Sequence, residues 1–151
     1  MSGARTIQVL LFGVGATLGA LPLAPVERVT RMVAVTPLPG GPEVVSGIVS
    51  YHGLVTPVIS LRRRFGIPEH PLPVEDHLIF FRTRHRLLAL QVDRTGDTVT
   101  IPESALEAAG PPGPGFDHLQ GVARLPDGIL LLHDPELALT PEEALRLEEA
   151  L

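Results

Sequence analysis

A set of short apolar segments occurs twice along this chain of 151 residues, in the same order. Two segments near the N-terminus return 69 positions later, and two further segments return 74 positions later (Val9 to Leu78, Gly47 to Gly121). The matched pairs are residues 9–12 with 78–81, 18–23 with 87–92, 47–50 with 121–124, and 55–58 with 129–132. Segments of this length are typical of short β-strands, and a repeated strand set predicts two similar β-units packed together.

The composition narrows the class of protein. Hydrophobic residues make up 44% of the sequence, and a chain of this length can bury a sizeable core without covalent staples. There is no cysteine, which excludes disulfides and thiolate zinc sites, so we expect a cytoplasmic location. The net charge of −5 argues against a general nucleic-acid binder. No segment reaches the ~18 apolar residues that a membrane helix needs, so we expect no direct membrane insertion.

The first half of the chain is predicted to contain five strands and a short helix. The strands are Val9–Val14, Leu18–Leu23, Val26–Val33, Gly47–Tyr51 and Leu54–Ile59, and the helix lies between Ser60 as N-cap and Gly66 as stop signal. The apolar stretch from Ile7 to Leu23 could also be taken for a secretory signal. Its pattern recurs at Leu78–Val92, where no signal peptide can lie, so we interpret it as two strands.

The second half repeats this plan. Its predicted strands are Leu78–Thr83, Leu87–Val92, Thr98–Ile101, Leu119–Leu125 and Ile129–His133, the last two joined by a turn at Pro126-Asp127-Gly128. A short helix is predicted at Pro102–Ala109, followed by an irregular segment at residues 110–115. Thr140 and Glu143 form a capping box that predicts a C-terminal helix to about Ala150. Because the strands are apolar on both faces, we expect an all-β fold of small barrels packed on each other.

Two segments contain residues that could bind a phosphate or catalyse a reaction, but each has a simpler structural interpretation. Residues 13–19 are glycine-rich, but their spacing is not G-x-G-x-x-G and no helix follows, so we expect a hairpin turn and not a phosphate loop. His133 and Asp134 could orient one another in a small hydrolase, although a carboxylate at the end of a strand is commonly a cap. We therefore predict no enzymatic activity, no metal site and no cofactor.

A row of arginines at one strand edge suggests an alternative function, nucleic-acid binding. Arg82, Arg84 and Arg86 alternate along a strand and its turn, and a tandem-barrel protein could bind RNA or single-stranded DNA there. The chain has five Phe, one Tyr and no Trp, so aromatic platforms for base stacking are scarce. Such a charge run is more typical of a solvated, aggregation-resistant strand edge.

Residues 47–66, GIVSYHGLVTPVISLRRRFG, resemble the signature of the CheW-like domain family, G-(V/I)-(V/I)-N-L-R-G-x-(V/I)-x-P-(V/I)-(V/I)-D-L-R-x-x-(F/L)-G. The segments around Leu11-Phe12, residues 20–29, residues 36–39 and residues 121–125 also resemble segments of that family, in the same order. The resemblance implies an all-β fold of two tandem Src-homology-3-like, five-stranded barrels, with short helices and a C-terminal helix.

The resemblance also implies a domain division and a function. Residues 7–138 would form the CheW-like domain, with barrels at roughly residues 7–70 and 76–138 and strand exchange between them left open; residues 139–151 would form the C-terminal helix. The protein would be a non-catalytic adaptor that couples the cytoplasmic tip of a chemoreceptor, a methyl-accepting protein, to the regulatory domain of a CheA-type histidine kinase. The receptor helix would lie in an apolar groove between the barrels. The positions that match partner-binding positions of the family are Val26, Arg28, Val29, Gly47, Tyr51, His52 and Gly53.

The sequence departs from the family pattern at several of these positions. The family's N-L-R-G is Ser50-Tyr51-His52-Gly53 here, so the arginine and its bidentate fork are replaced by a histidine. Ser60 replaces the aspartate, the order Glu27-Arg28 is inverted, and Gly19 stands where an aromatic residue is frequent. These differences favour a divergent pathway, such as a scaffold in pilus motility, as an alternative to chemotaxis.

Overall fold

The strands and helices are short and follow one another closely in a computed structural model that describes residues 5–70, 73–107, 119–126 and 128–151. The strands are β1 Thr6–Val14, β2 Thr17–Pro22, β3 Val26–Arg31, β4 Val45–Tyr51, β5 Leu54–Ser60, β6 His77–Arg82, β7 Leu87–Val92, β8 Arg94–Pro102, β9 Leu106–Glu107, β10 Leu119–Leu125 and β11 Gly128–His133. The helices are α1 Leu61–Phe65 and α2 Pro141–Ala150, and single 3-10 turns occur at Pro73–Glu75, Glu103–Ala105 and Pro135–Leu137.

The strands form two sheets that each draw on both halves of the sequence. The first sheet has the order β8-β1-β2-β11-β10-β9, and the second has the order β3-β6-β7-β5-β4. The N-terminal hairpin β1–β2 therefore pairs with strands from the C-terminal half. The predicted division into residues 7–138 and 139–151 stays a prediction, while the all-β fold class is confirmed.

The sequence repeat corresponds to a repeat of strand pairing. In the second sheet β5 runs parallel to β7, with Val58 opposite Ala89. In the first sheet β11 runs parallel to β2, with Leu132 opposite Ala20. These four residues are matched by the offsets of 69 and 74 found in the sequence, so the repeat preserves register as well as strand order.

The apolar residues on the two faces of the strands enter different cores. The inter-sheet cluster joins both sheets and consists of Leu10, Phe12, Val14, Leu21, Val44, Val45, Ile59, Leu61, Ile79, Phe81, Leu88, Leu90, Val92 and Leu147. A smaller cluster belongs to the first sheet and includes Val9 and Leu132, and another belongs to the second sheet and includes Leu78 and Phe80. Alternate residues of β1 and β6 thus face different clusters, which explains why these strands do not alternate between apolar and polar residues.

Both helices begin where the sequence predicts. Ser60 accepts a hydrogen bond from the Arg63 N–H at 3.3 Å, and Gly66 ends α1 in the left-handed region with φ 71°. Thr140 and Glu143 form the complete capping box of α2. Neither helix in the described ranges is both long and apolar enough to cross a membrane.

The helix predicted at Pro102–Ala109 is wrong. Strand β8 runs through Pro102, one 3-10 turn follows, and residues 106–107 form β9 opposite Ala123 and Val122 of β10. Leu106 packs against the core of the first sheet, so strand pairing and burial override the helix propensity of an alanine-rich segment. The predicted irregular segment 110–115 and Asp127 of the predicted turn lie outside the described residues, as do residues 108–109.

Candidate functional site

Val26 and Val29 of β3 lie at the margin of the inter-sheet cluster. The register of β3 and β6 places Val26 opposite Phe81 and Val29 opposite Ile79, both of which are fully buried in that cluster. Opposed residues of an antiparallel pair share a face of the sheet. Val26 packs against the cluster, whereas Val29 remains 37% exposed. Val26 and Val29 therefore form a partly exposed apolar edge on this face of β3.

Phe80 connects the other predicted site residues on the second sheet. Arg28 lies opposite Phe80 in the β3–β6 register. The Tyr51 ring stacks on Phe80, with ring centroids 4.3 Å apart and an interplanar angle of 19°. Phe80 thus lies across from Arg28 in the strand register and in ring contact with Tyr51, although Phe80 itself was not among the predicted site residues.

His52 and Gly53 form the two-residue turn between β4 and β5. Both have positive φ, 50° and 82°, a combination typical of hairpin turns that match the twist of the strands. The His52 ring meets Tyr51 edge-on, at 4.4 Å between centroids and 76° between planes. Leu54 and Val55, which follow the turn, are 51% and 60% exposed. The hairpin tip therefore combines an imidazole with exposed aliphatic side chains.

Gly47 has a different role from the exposed site residues. It is buried, and a Cβ built on it would lie 2.3 Å from the carbonyl oxygen of Thr36 and 2.5 Å from Val35. The neighbouring Ile48 exchanges two backbone hydrogen bonds with Thr36, of 2.9 and 2.8 Å. Gly47 thus allows the segment after β3 to close against β4, and it does not form part of the exposed surface.

Sequence reasoning missed Phe80, Leu54 and Val55. One cue in the repeat points to Phe80 in retrospect. Phe80 and Tyr51 are aromatic where the other copy of each segment has Leu11 and Leu125. Leu54 and Val55 occupy the start of a strand whose later residues are all buried.

The arginine of the family signature that follows Leu61 is part of a partly buried ion-pair network. Arg62 binds both carboxylate oxygens of Asp93, through Nε to Oδ1 at 2.8 Å and Nη2 to Oδ2 at 2.7 Å. The N–H of Gly15, in the β1–β2 turn, donates to Asp93 Oδ2 at 2.6 Å. Because α1 follows the second sheet and Gly15 belongs to the first, this network joins the two sheets.

The network extends from Arg62 toward the second sheet. His70 lies 2.7 Å from Arg62 Nη2 through its Nε2 and 2.7 Å from Asp76 Oδ1 through its Nδ1. Gln91 donates to the other oxygen of Asp76 at 2.8 Å. Potential metal-ligand atoms of His70, Asp76 and Asp93 lie within 4.8 Å of one another. The Arg62 guanidinium already supplies positive charge among them, so we assign the group a structural role.

The pKa of Asp93 reflects this arrangement. Burial raises it, but the hydrogen bonds from Arg62 and from the Gly15 N–H, together with the Arg62 charge, favour the carboxylate and lower the pKa below its ordinary value. The hydrogen bond to Asp93 likewise raises the pKa of Arg62. Both groups are therefore charged across the physiological range.

Each arginine of the row at residues 82–86 is paired with an acid. Arg82 Nε lies 2.7 Å from Glu27 Oε2. Arg84 lies 3.4 Å from Glu136, and Arg86 lies 3.5 Å from Glu148. This edge of the second sheet is therefore locally neutral, which disfavours it as a surface for a polyanion.

His133 and Asp134 make contacts that stabilise the fold. Asp134 accepts a hydrogen bond from the Glu136 N–H at 2.9 Å and so caps the turn at Pro135–Leu137. The His133 ring is 4% exposed and lies 5.2 Å from the Phe12 ring. Asp134 thus repeats, 74 positions later, the capping role of Ser60. The glycine-rich segment 13–19 is the β1–β2 hairpin, as predicted.

A family model and two curated relatives match this chain, and all three concern the same family. The CheW-like domain family model matches residues 8–143. The "Chemotaxis protein CheW" of Bacillus subtilis (strain 168) is 29% identical over 102 residues, which cover 68% of this chain and 65% of that protein. The protein of the same name from Treponema pallidum (strain Nichols) is 23% identical over 148 residues, covering 93% of this chain and 86% of that protein.

A solved structure has the same fold. The scaffolding protein TtCheW from Thermoanaerobacter tengcongensis superimposes with a TM-score of 0.81 at 23% sequence identity, over 92% of this chain and 96% of that one. The expected fold of two Src-homology-3-like barrels is thereby confirmed. With a family model that spans nearly all of its length, the chain belongs to the CheW-like domain family.

Proposed function

We propose that this protein is a non-catalytic adaptor of chemotaxis-type two-component signalling, coupling a chemoreceptor tip to a CheA-type histidine kinase. Membership of the CheW-like domain family supports the adaptor role, as do relatives named for chemotaxis. The observation that carries the proposal is the exposure of the hairpin tip at His52, Leu54 and Val55, together with that of Arg28 and Val29 on β3. These surfaces combine exposed aliphatic side chains with polar groups, as protein interfaces do.

We assign the hairpin tip to the kinase regulatory domain. Leu54 and Val55 are more than half exposed and adjoin His52, so the tip offers an apolar centre with a polar group beside it. Gly53 permits the left-handed turn that projects these residues. Gly47 contributes indirectly, because it fixes the position of the segment between β3 and β4.

We assign the β3 face to the receptor. Val26 and Val29 form an apolar edge beside the inter-sheet cluster. This edge suits the apolar side of a receptor helix. Arg28 is exposed, and within the described residues it has no ion-pair partner, so its guanidinium is available to a carboxylate of the partner. A pilus-motility scaffold would use the same surfaces with different partners.

The proposal is tested by binding. The full-length protein, titrated with the regulatory domain of a CheA-type kinase and separately with a receptor-tip fragment from the same genome, should bind both. Val29→Glu should weaken receptor binding without changing kinase binding or the unfolding midpoint, since Val29 lies at the surface. Val74→Glu is the matched control, because Val74 is 69% exposed and lies outside both surfaces. Absence of binding to either partner would refute the adaptor role.

A further inference from the structure

The two copies of the repeat have equivalent strand pairing and different side chains. Tyr51 at the end of β4 corresponds to Leu125 at the end of β10, and Phe80 of β6 corresponds to Leu11 of β1. The second sheet therefore has an aromatic pair where the corresponding positions of the first sheet are leucines. Because the repeat otherwise preserves register, the aromatic pair is a feature of one copy alone.

The aromatic pair forms a supported stack that ends at the hairpin tip. Phe80 is 3% exposed and is part of the core of the second sheet. Tyr51 packs on that core through the near-parallel stack, and His52 rests edge-on against Tyr51. The order from core to solvent is thus Phe80, Tyr51, His52. An exposed side chain at a two-residue turn has few neighbours, so the Tyr51 ring is its main restraint.

We propose that Phe80 and Tyr51 are positioning residues that hold the His52 imidazole in one orientation for a partner. The inference rests on the proposed function, because the partner is the one that binds the hairpin tip. A side chain that is already ordered loses less entropy on binding than a mobile one. The tip would then recognise a surface with a hydrogen-bond acceptor, a carboxylate or carbonyl oxygen, opposite His52 and an apolar rim for Leu54 and Val55.

Proton NMR of the free protein tests the positioning directly. The His52 imidazole protons should show a ring-current shift in the wild type and in Tyr51→Phe, which keeps the stack and removes only the hydroxyl. The shift should collapse toward that of a mobile histidine in Tyr51→Leu and in Phe80→Leu. Leu125→Ala, at the equivalent position in the other copy of the repeat, should leave the His52 signal unchanged. An unshifted imidazole in the wild type, or an unchanged one in Tyr51→Leu, would overturn the inference.

Binding to the kinase regulatory domain tests the consequence. We expect Tyr51→Leu to weaken binding about 5-fold and Tyr51→Phe to stay within about 2-fold of the wild type, as expected for one released side chain. Equal affinities of Tyr51→Leu and wild type would contradict the positioning role. If the wild type fails to bind, the proposed function is refuted, while the NMR result still decides whether the stack orders His52.

Discussion

Arg64 of α1 and Glu143 of α2 form a bidentate ion pair, with Nη1 2.9 Å from Oε2 and Nη2 2.8 Å from Oε1. Arg64 also donates to the carbonyl oxygen of Ala138. Glu143 Oε1 at the same time accepts from the Thr140 N–H at 2.8 Å. One carboxylate thus completes the helix cap and fastens the helix to the rest of the chain.

Glu143→Gln separates these two roles. Glutamine can replace glutamate in a capping box but cannot pair with a guanidinium charge. The Arg64 and Glu143 side chains are 13% and 21% exposed, so the pair is partly shielded from water. We expect the free energy of unfolding to fall by about 1–2 kcal/mol. Chemical denaturation measures it, and Glu142→Gln on the exposed side of the same turn is the control. Equal loss in both variants would contradict a specific ion pair.

The lowered pKa of Asp93 predicts how the stability of the fold depends on pH. Its folded-state pKa is lowered, so it stabilises the fold at pH values above the ordinary aspartate pKa of about 3.9, and this contribution is lost as the pH falls through the folded-state pKa. Burial raises the pKa of Glu143, but hydrogen bonds from Arg64 and Thr140 lower it overall, so it acts in the same direction. We expect unfolding free energy to decline below about pH 4, with no contribution to the slope from these two groups at pH 6–8.

Asp93→Asn should flatten that acid decline and lower stability at pH 7 by about 2 kcal/mol, because Arg62 loses its charged partner. Asp97→Asn, on the exposed part of β8, is the matched control and should leave both quantities unchanged. Urea unfolding followed by circular dichroism between pH 3 and 8 measures both. A variant with the wild-type acid slope would show that Asp93 is not a source of it.

Gly47 and Gly121 occupy equivalent positions, and the structure ranks their tolerance to alanine. A Cβ at Gly47 would lie 2.3 Å from the Thr36 carbonyl oxygen, whereas one at Gly121 would lie 3.0 Å from that of Glu107. We expect Gly47→Ala to cost about 2–3 kcal/mol and Gly121→Ala about 1 kcal/mol, as overpacking against backbone does. Thermal or chemical unfolding compares the two. The reverse ranking would mean that the segment at Thr36 moves more readily than β9.

Local sequence signals predicted the parts of this fold that depend on neighbouring residues. Ser60, Gly66 and the Thr140 capping box bound the helices at the expected residues, because a cap needs only a few consecutive positions. Turn residues, such as the glycine-rich segment 13–19, predicted hairpins for the same reason. The helix at residues 102–109 failed because pairing with β10, more than ten positions away, outweighs local propensity.

The candidate site was less predictable because its contacts join distant residues. Tyr51 and Phe80 lie in separate strands, and nothing in either segment alone indicates that their rings stack. Arg62 and Asp93 are 31 positions apart, and Asp93 follows a strand where a turn residue is unremarkable. Of the positions that match partner-binding positions of the family, Val29 and His52 lie at the surface, whereas Gly47 is a buried point of close backbone approach.

The apolar contribution of the C-terminal helix to stability should come mainly from Leu147. Leu147 is fully buried in the inter-sheet cluster, while Leu145, two positions earlier on α2, is 59% exposed. Leu147→Ala should lower the unfolding free energy by about 2–4 kcal/mol, because it leaves a cavity among large side chains, and Leu145→Ala should change it by less than about 0.5 kcal/mol. Both substitutions add the same helix propensity, so the difference isolates packing. Chemical denaturation of the two variants measures it. Similar values would mean that α2 does not close the inter-sheet cluster.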